Sequence, residues 1–353
     1  MALGRTRLSI SGRDPTAALK TEHTAQVREL IAGAWMTQAI HHAVRLGVFE
    51  ALLESPLSSQ AVAARCGVAE DATCRLLRSC ATLGLVEDLG NGSFQLTAQG
   101  MLLCRDTPGS LSAMAISWGE DIWRAFDSLG AALSDSVEEV GVESRFVGIQ
   151  SDPVQSALLN RSMAEQSHAI GHELVNAYDF SRFARVLDVG GGYGGLLRAL
   201  LEHYPQLRGS VFDFPMIAGE ACRYLAQAQL SHRAEFIGGD FFAAVPAVAD
   251  LYVLKYVIHD WADEQAVKIL RNVRAAADRQ GTIVLIEQVL SSRMSESPAD
   301  RSAARLDLFM LMNGGKERTQ EEYRALGAAA SLQLRDVHEA PSGFCILEFK
   351  AVP

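Results

Sequence analysis

Asp188 opens the run Asp-Val-Gly-Gly-Gly-Tyr-Gly-Gly, in which five of the six residues from Gly190 to Gly195 are glycine. The run follows an apolar stretch, Arg185–Val189, whose composition predicts a strand, and it leads into a helix expected near Gly194. In open α/β sheets, ligands sit beyond the carboxyl ends of the strands. Glycine there lets the backbone touch a ligand and adopt positive φ. Gly190, Gly192 and Gly195 satisfy G-x-G-x-x-G, a spacing that dinucleotide sites share. Asp188 points another way. A carboxylate before the glycines suits a pyrophosphate poorly and a cationic ligand well, such as the amino-acid end of S-adenosylmethionine. Its plainer role is to cap the turn. Asp213, ending Val-Phe-Asp-Phe-Pro, is placed for a ribose diol, which either ligand carries. In Gly-Gly-Asp-Phe-Phe, Asp240 suits an adenine amino group and Phe241 a ring face; a loop cap and a core aromatic are the alternatives. His259 lies where Leu-Tyr-Val-Leu-Lys-Tyr-Val-Ile ends, at the carboxyl edge of the expected sheet. A neutral imidazole there can take the proton of a phenol, whose pKa is about 10. Capping the next helix with Asp260, or packing on Trp261, is its structural alternative.

These residues need a sheet to hold them. From Phe183 onward, short β-rich runs alternate with helical ones, and the last two runs, Leu-Gln-Leu-Arg-Asp-Val-His-Glu-Ala and Phe-Cys-Ile-Leu-Glu-Phe-Lys, form an antiparallel pair. That pattern predicts an α/β, doubly wound domain. The segment Ser-Ser-Arg-Met-Ser-Glu-Ser-Pro-Ala-Asp-Arg-Ser-Ala-Ala is expected to be a polar loop. Upstream, Glu22 to about Leu53 carries apolar residues at helical spacing. A helix to Cys66, stopped by Gly67, and another to Leu83, stopped by Gly84, precede two short strands joined by Gly90-Asn91-Gly92. Helix, turn, helix, hairpin is the winged-helix pattern. The expected divisions are a loose tail over 1–21, a winged-helix domain over 22–108, and a second domain over 109–353. The latter comprises a helical segment, 109–180, broken near Val140 to Pro153, and an α/β core, 181–353.

Composition narrows the function. Of 353 residues, 48% are hydrophobic and 21% charged, a soluble balance, and the net charge of −10 argues against nucleic acid or an anionic membrane as the main partner. The winged helix raises DNA binding as a rival. Acid and base are balanced through the first hundred residues, however, and Glu70 and Asp71 stand where a DNA reader would meet phosphate. Apolar residues there suit a dimer interface instead. Six scattered cysteines show neither CxxC nor zinc-finger spacing, and read as reduced thiols of a cytoplasmic protein. No apolar run reaches the roughly 18 residues of a spanning helix, and no metal-ligand cluster is evident.

Taken in order, Val-Leu-Asp-Val-Gly-Gly-Gly-Tyr-Gly-Gly, Val-Phe-Asp-Phe-Pro, Gly-Gly-Asp-Phe-Phe, the segment with Ile-His-Asp-Trp, Leu-Ile-Glu-Gln-Val-Leu, and the segment with Gly-Gly-Lys-Glu-Arg-Thr resemble the S-adenosylmethionine-dependent O-methyltransferases of the caffeate and hydroxyindole type. The resemblance spans nearly the whole chain and implies a Rossmann-like methyltransferase domain behind a winged-helix dimerisation domain, hence a homodimer. It implies that Gly190 and Gly192 line the donor, Asp213 holds its ribose, Asp240 and Phe241 its adenine, and Lys255 the adenosyl side. Ser167 would meet the donor carboxylate. Met163, Met310, Asn313 and Asp260 would serve an aromatic acceptor, with no metal. His259 would be the base, framed by Glu287, ending the fifth strand, and Glu317. Two departures stand out: Leu159 replaces the family's Phe, and Met-Asn-Gly-Gly-Lys-Glu-Arg-Thr lacks its proline. A carboxylate on the second ring nitrogen would fix the tautomer of His259, with Glu317 the first choice and Glu287 the second. Asp260 is expected to point away from the ring. The implied reaction is O-methylation of a phenolic hydroxyl in secondary metabolism; methylation at carbon or nitrogen, or a lapsed methyltransferase, stays open.

Overall fold

The computed structural model describes residues 21–105, 107, 109–134, 153–277 and 281–352. The expected tail, but for Thr21, and the break before Pro153 lie outside them. The chain divides into two compact units, Met1–Cys104 and Arg105–Pro353.

In the first unit the long helical expectation resolves into three helices, Thr21–Ala32, Ala34–Arg45 and Val48–Ala51. Gly33 and Gly47 separate them, the latter at φ +74°, a conformation that ends a helix at low cost for glycine alone. Helices Ser59–Cys66 and Glu70–Thr82 follow, and the Ser58 hydroxyl caps the former by accepting from the Ala61 N–H at 3.2 Å. Strands β1 (Leu57–Ser58), β2 (Val86–Asp88) and β3 (Ser93–Leu96) form a small antiparallel sheet in the order β1-β3-β2. Val44, Phe49, Leu77 and Phe94 fill its core. Val27, Leu30 and Ile31, on the first helix, are exposed.

The second unit is built on strands β4 (Arg185–Val189), β5 (Arg208–Asp213), β6 (Ala234–Gly238), β7 (Leu251–Lys255), β8 (Thr282–Leu290), β10 (Leu332–Glu339) and β11 (Phe344–Ala351), ordered β10-β11-β8-β7-β4-β5-β6. β4 to β8 run parallel, and β10 and β11 return antiparallel. From β4 the chain builds outward through β5 and β6, then crosses to the far side of β4 to lay down β7 and β8. The order therefore reverses between β4 and β7, and a crevice opens at such a switch point. Two apolar layers cover the sheet. Helices Pro153–Ala177, Gly195–His203 and Ala218–Gln227 bury Leu174, Leu197 and Leu225 on one face; helices Asp263–Ala277 and Gln320–Ala329 bury Ile269 and Leu326 on the other. Thr319 and Glu322 form a capping box at the last of these helices.

The expected polar loop is a correction. It contains the start of a 14-residue helix, Pro298–Leu311, whose N-terminus is capped by Ser297 and carries Pro298 in the first turn. Asp300 gathers the segment before it by accepting from Ser291 and Ser295. A short strand β9 (Arg318–Thr319) also pairs with β8. Among the described residues no helix is long and apolar enough to cross a membrane.

Candidate active site

The glycine turn closes on β5. The Gly190 N–H donates to the Phe212 carbonyl at 2.8 Å, and the Gly192 N–H donates to Asp213 Oδ2 at 2.7 Å. Asp213 Oδ1 accepts from the Phe214 N–H at 2.7 Å, so one carboxylate ties two strand ends together. Burial raises the Asp213 pKa, and these backbone bonds oppose the rise. Not every glycine serves a ligand. A Cβ at Gly191 would stand 2.6 Å from the Asp188 carboxyl carbon, and one at Gly195 1.9 Å from the Ala164 carbonyl oxygen. Gly192, at φ +58°, faces open space, its nearest neighbour being Asn160 Oδ1 at 4.0 Å. Its backbone is therefore open to the cavity it lines.

A cavity of about 420 Å³ lies at the switch point, within the usual range for small-molecule sites. Asp188, Gly190, Gly192, Asp213, Asp240, Phe241 and Lys255 all line it, as do Met163 and Ser167 from helix Pro153–Ala177. Asp188 is 2% exposed, and its Oδ2 has no hydrogen-bond partner. Burial pushes its pKa up to about 7, against the pull of Lys255 and with a push from Asp213. Burial in turn lowers Lys255 to about 8. A buried carboxylate oxygen lacking a donor is what a cationic ligand satisfies, so the donor set fits S-adenosylmethionine. Asp240 both lines the cavity and caps its loop, Oδ1 accepting from the Phe242 N–H at 2.7 Å.

His259 sits in a single 3₁₀ turn, Ile258–Asp260, just past β7. Its Nδ1 lies 2.6 Å from Glu317 Oε1, and both side chains are buried. Glu287 holds the turn instead: its Oε1 accepts from the buried Ile258 N–H at 3.0 Å. It is not at the strand end, as β8 continues to Leu290. Asp260 is a further correction. Its Oδ1 stands 3.7 Å from His259 Nε2, and it lines the cavity. The tight turn folds residue 260 back toward residue 259, where an extended chain would have turned it away. Burial lowers the His259 pKa, but the negative charges of Asp260 and Glu287, with the hydrogen bond to Glu317, outweigh it and raise it to about 9. Burial lifts Glu287 to about 8.

Sequence reasoning passed over Tyr256. Its backbone is left-handed, at φ +54°, and its ring stacks on the His259 imidazole at 4.5 Å and 6°. It lies inside the run expected to be strand as far as Ile258, whereas β7 ends at Lys255, so nothing in the sequence marked it. Arg318 was passed over too. This fully buried guanidinium donates to the carbonyls of Ile258 and Trp261 at 3.0 and 2.7 Å and to Asp263. It thus braces both sides of the His259 turn. Arg318→Met removes the charged donor that the carbonyls of Ile258 and Trp261 share and the ion pair with Asp263. We expect a loss of about 3 kcal/mol in denaturant unfolding; an unchanged midpoint would contradict the brace.

Met310 is buried, and Asn313 donates its amide to the Phe309 carbonyl; neither lines the cavity. Among the described residues the fold also assembles two groups of potential metal ligands: His259, Glu287 and Glu317, and separately His168, His172 and Glu202. Packing brings Glu202 to the His168/His172 pair, and Glu287 and Glu317 to His259, from distant positions.

Residues 127–333 match the O-methyltransferase domain family, and residues 28–106 match the O-methyltransferase dimerisation domain. The chain is 34% identical over 328 residues to phenazine O-methyltransferase PhzM of Lysobacter antibioticus, covering 92% of this chain and 95% of that one. Among solved structures it is similar to LaPhzM, with a TM-score of 0.86, 32% identity, and coverage of 93% and 99%. It is also similar to the O-methyltransferase NcsB1 from neocarzinostatin biosynthesis, solved with S-adenosylmethionine and 2-hydroxy-5-methyl naphthoic acid, with a TM-score of 0.71, 31% identity, and coverage of 90% and 96%. A cavity ringed by three strand-end carboxylates, a buried histidine–glutamate pair beside it, and these likenesses agree: the chain belongs to the S-adenosylmethionine-dependent O-methyltransferases that carry an N-terminal dimerisation domain.

Proposed function

We propose that the chain methylates a hydroxyl on an aromatic small molecule, with His259 as the general base. The buried His259–Glu317 pair carries this reading. With Glu317 accepting from Nδ1–H, the lone pair resides on Nε2, the nitrogen beside cavity-lining Asp260. S-adenosylmethionine, when bound, supplies an activated methyl group and leaves as S-adenosylhomocysteine. Asp213 holds its ribose diol, Asp188 faces its cationic end, Asp240 and Phe241 receive its adenine, and Ser167 its carboxylate. Lys255 sets the charge on the adenosyl side. Met163, with Met310 and Asn313 farther off, shapes the acceptor side. His259 Nε2 takes the acceptor's hydroxyl proton, and Glu317 and Asp260 stabilise the resulting imidazolium.

The phenazine-modifying relative and the naphthoic-acid-bound neighbour support an aromatic acceptor. The test is incubation of the full chain with methyl-labelled donor and a panel of phenols, with the label located by NMR. Label on oxygen supports the reading. Label on ring carbon replaces it with methylation ortho to a phenol, which needs the same deprotonation.

Residues 22–108 serve dimerisation on this reading, with 109–180 forming the acceptor side and 181–353 the Rossmann-like core. The exposed Val27, Leu30 and Ile31 on the first helix suit a second copy better than water. Sedimentation at micromolar concentration is expected to give about twice the 38.2 kDa chain mass; a single 38.2 kDa species removes the interface.

A further inference from the structure

The second ligand group lies away from the reacting centre. His168 and His172 are one helical turn apart on helix Pro153–Ala177, so they share a face. Their rings meet edge to face with centroids 4.6 Å apart. Glu202 comes from helix Gly195–His203. Small residues bring the two helices close. A Cβ on Gly171, between the histidines in sequence, would stand 2.4 Å from the Ala199 Cβ, and Gly195 already packs on the Ala164 backbone. At that separation Glu202 Oε2 reaches His168 Nε2 at 2.7 Å. Arg198 Nε holds Oε1, the other oxygen of the same carboxylate, at 2.8 Å. The carboxylate is thereby aimed at the imidazoles.

One nitrogen of each ring and one oxygen of Glu202 lie within 4.8 Å of one another. Tetrahedral zinc, with bonds of about 2.0–2.1 Å, holds its ligand atoms about 3.4 Å apart. Modest side-chain rotation closes the difference. His168 and Glu202 are 18% and 32% exposed, and His172 is more open, so an ion can enter from solvent and keep a water as fourth ligand. Imidazole with carboxylate suits zinc and its neighbours rather than magnesium or calcium.

We propose that His168, His172 and Glu202 form a site for a divalent transition-metal ion of the zinc class, which fastens helix Pro153–Ala177 to helix Gly195–His203 and tightens the donor cavity. The coupling follows from what the helices carry. The first presents Met163, Ala164 and Ser167 to the cavity, and the second begins where the glycine turn ends. An ion joining them opposes their separation, and whatever the ion does for the donor, the donor does for the ion.

The test uses the full chain stripped of metal by chelator. Zinc is titrated by calorimetry into the wild type, His172→Ala and Glu202→Gln. Cys222 and the buried His259 group also have affinity for zinc, so the difference between proteins is the readout. A one-to-one phase is expected in the wild type and weakened by at least about tenfold in both variants, as loss of a direct ligand should cost no less than loss of a supporting partner. Equal zinc binding in all three proteins overturns the site. S-adenosylhomocysteine affinity is then measured with and without zinc. A gain of about fivefold or more in the wild type alone supports the coupling. Zinc binding that leaves this affinity unchanged overturns the tightening. The zinc titration stands whether or not the acceptor assignment does.

Discussion

His259→Ala folds, binds S-adenosylhomocysteine like the wild type, and turns over its acceptor about 10² to 10⁴ times more slowly, the usual span for loss of a general base. Donor affinity survives because the cavity residues Asp188, Asp213 and Lys255 are untouched. The pH profile carries more information than the rate. The protonated ring cannot accept a proton, so activity rises with pH through the His259 pKa. Desolvation alone would put that break below the ordinary histidine value of about 6.5. Asp260, Glu287 and Glu317 overcome it and raise the pKa to about 9. The wild-type break therefore falls on the alkaline side of the ordinary value. Glu317→Gln removes one of the charges responsible, and its break moves to lower pH even as the rate drops from a misoriented ring. Alkaline buffer partly rescues His259→Ala, because solvent then supplies the phenolate. A histidine that merely fills space gives the opposite pattern: less folded protein, and survivors with normal turnover and profile. A well-folded His259→Ala with wild-type rates on its own acceptor would falsify the mechanism.

The second large effect is at Asp213. Its carboxylate accepts from Gly192 and Phe214, so it shapes the glycine turn as well as facing the ribose position. Asp213→Ala removes both roles. Donor affinity is expected to fall by roughly 1 to 3 kcal/mol, the range for charge-assisted bonds to two hydroxyls. Asp213→Asn separates the roles, since its amide oxygen can still accept from Gly192 while the charge is gone; it should fall in between. Calorimetry with S-adenosylhomocysteine decides, and unchanged affinity in Asp213→Ala sinks the assignment.

The centre of the sheet was legible because its inner parallel strands are largely apolar runs buried on both faces, as in Arg-Val-Leu-Asp-Val and Leu-Tyr-Val-Leu-Lys. Asp188 and Asp213, at strand ends, and Asp240, just past one, were legible for the same reason, whereas Lys255 lay inside the run expected to continue to Ile258 and came only from the family resemblance. The helix Pro298–Leu311 was not, since Ser, Asp and Arg in its opening turns read as loop when the Ser297 cap is overlooked. The position of Asp260 was hidden because a 3₁₀ turn redirects a side chain that period-two reasoning sends the other way. The role of Arg318 was hidden more deeply. Its partners Ile258 and Trp261 lie some sixty residues away and offer only backbone carbonyls, which leave no mark on side-chain type.

The left-handed backbone at Tyr256 constrains how this chain can drift. That conformation costs a non-glycine residue about 1 kcal/mol or more, and a β-branched residue worse. Glycine would relieve the strain but would strip the flat surface from beside the His259 ring. Valine or isoleucine would add to the strain and supply no plane. Position 256 therefore favours a flat ring over glycine or a β-branched residue. A library randomised there should return phenylalanine, tryptophan and histidine among its active members, and a reconstructed ancestor should carry an aromatic residue at this site.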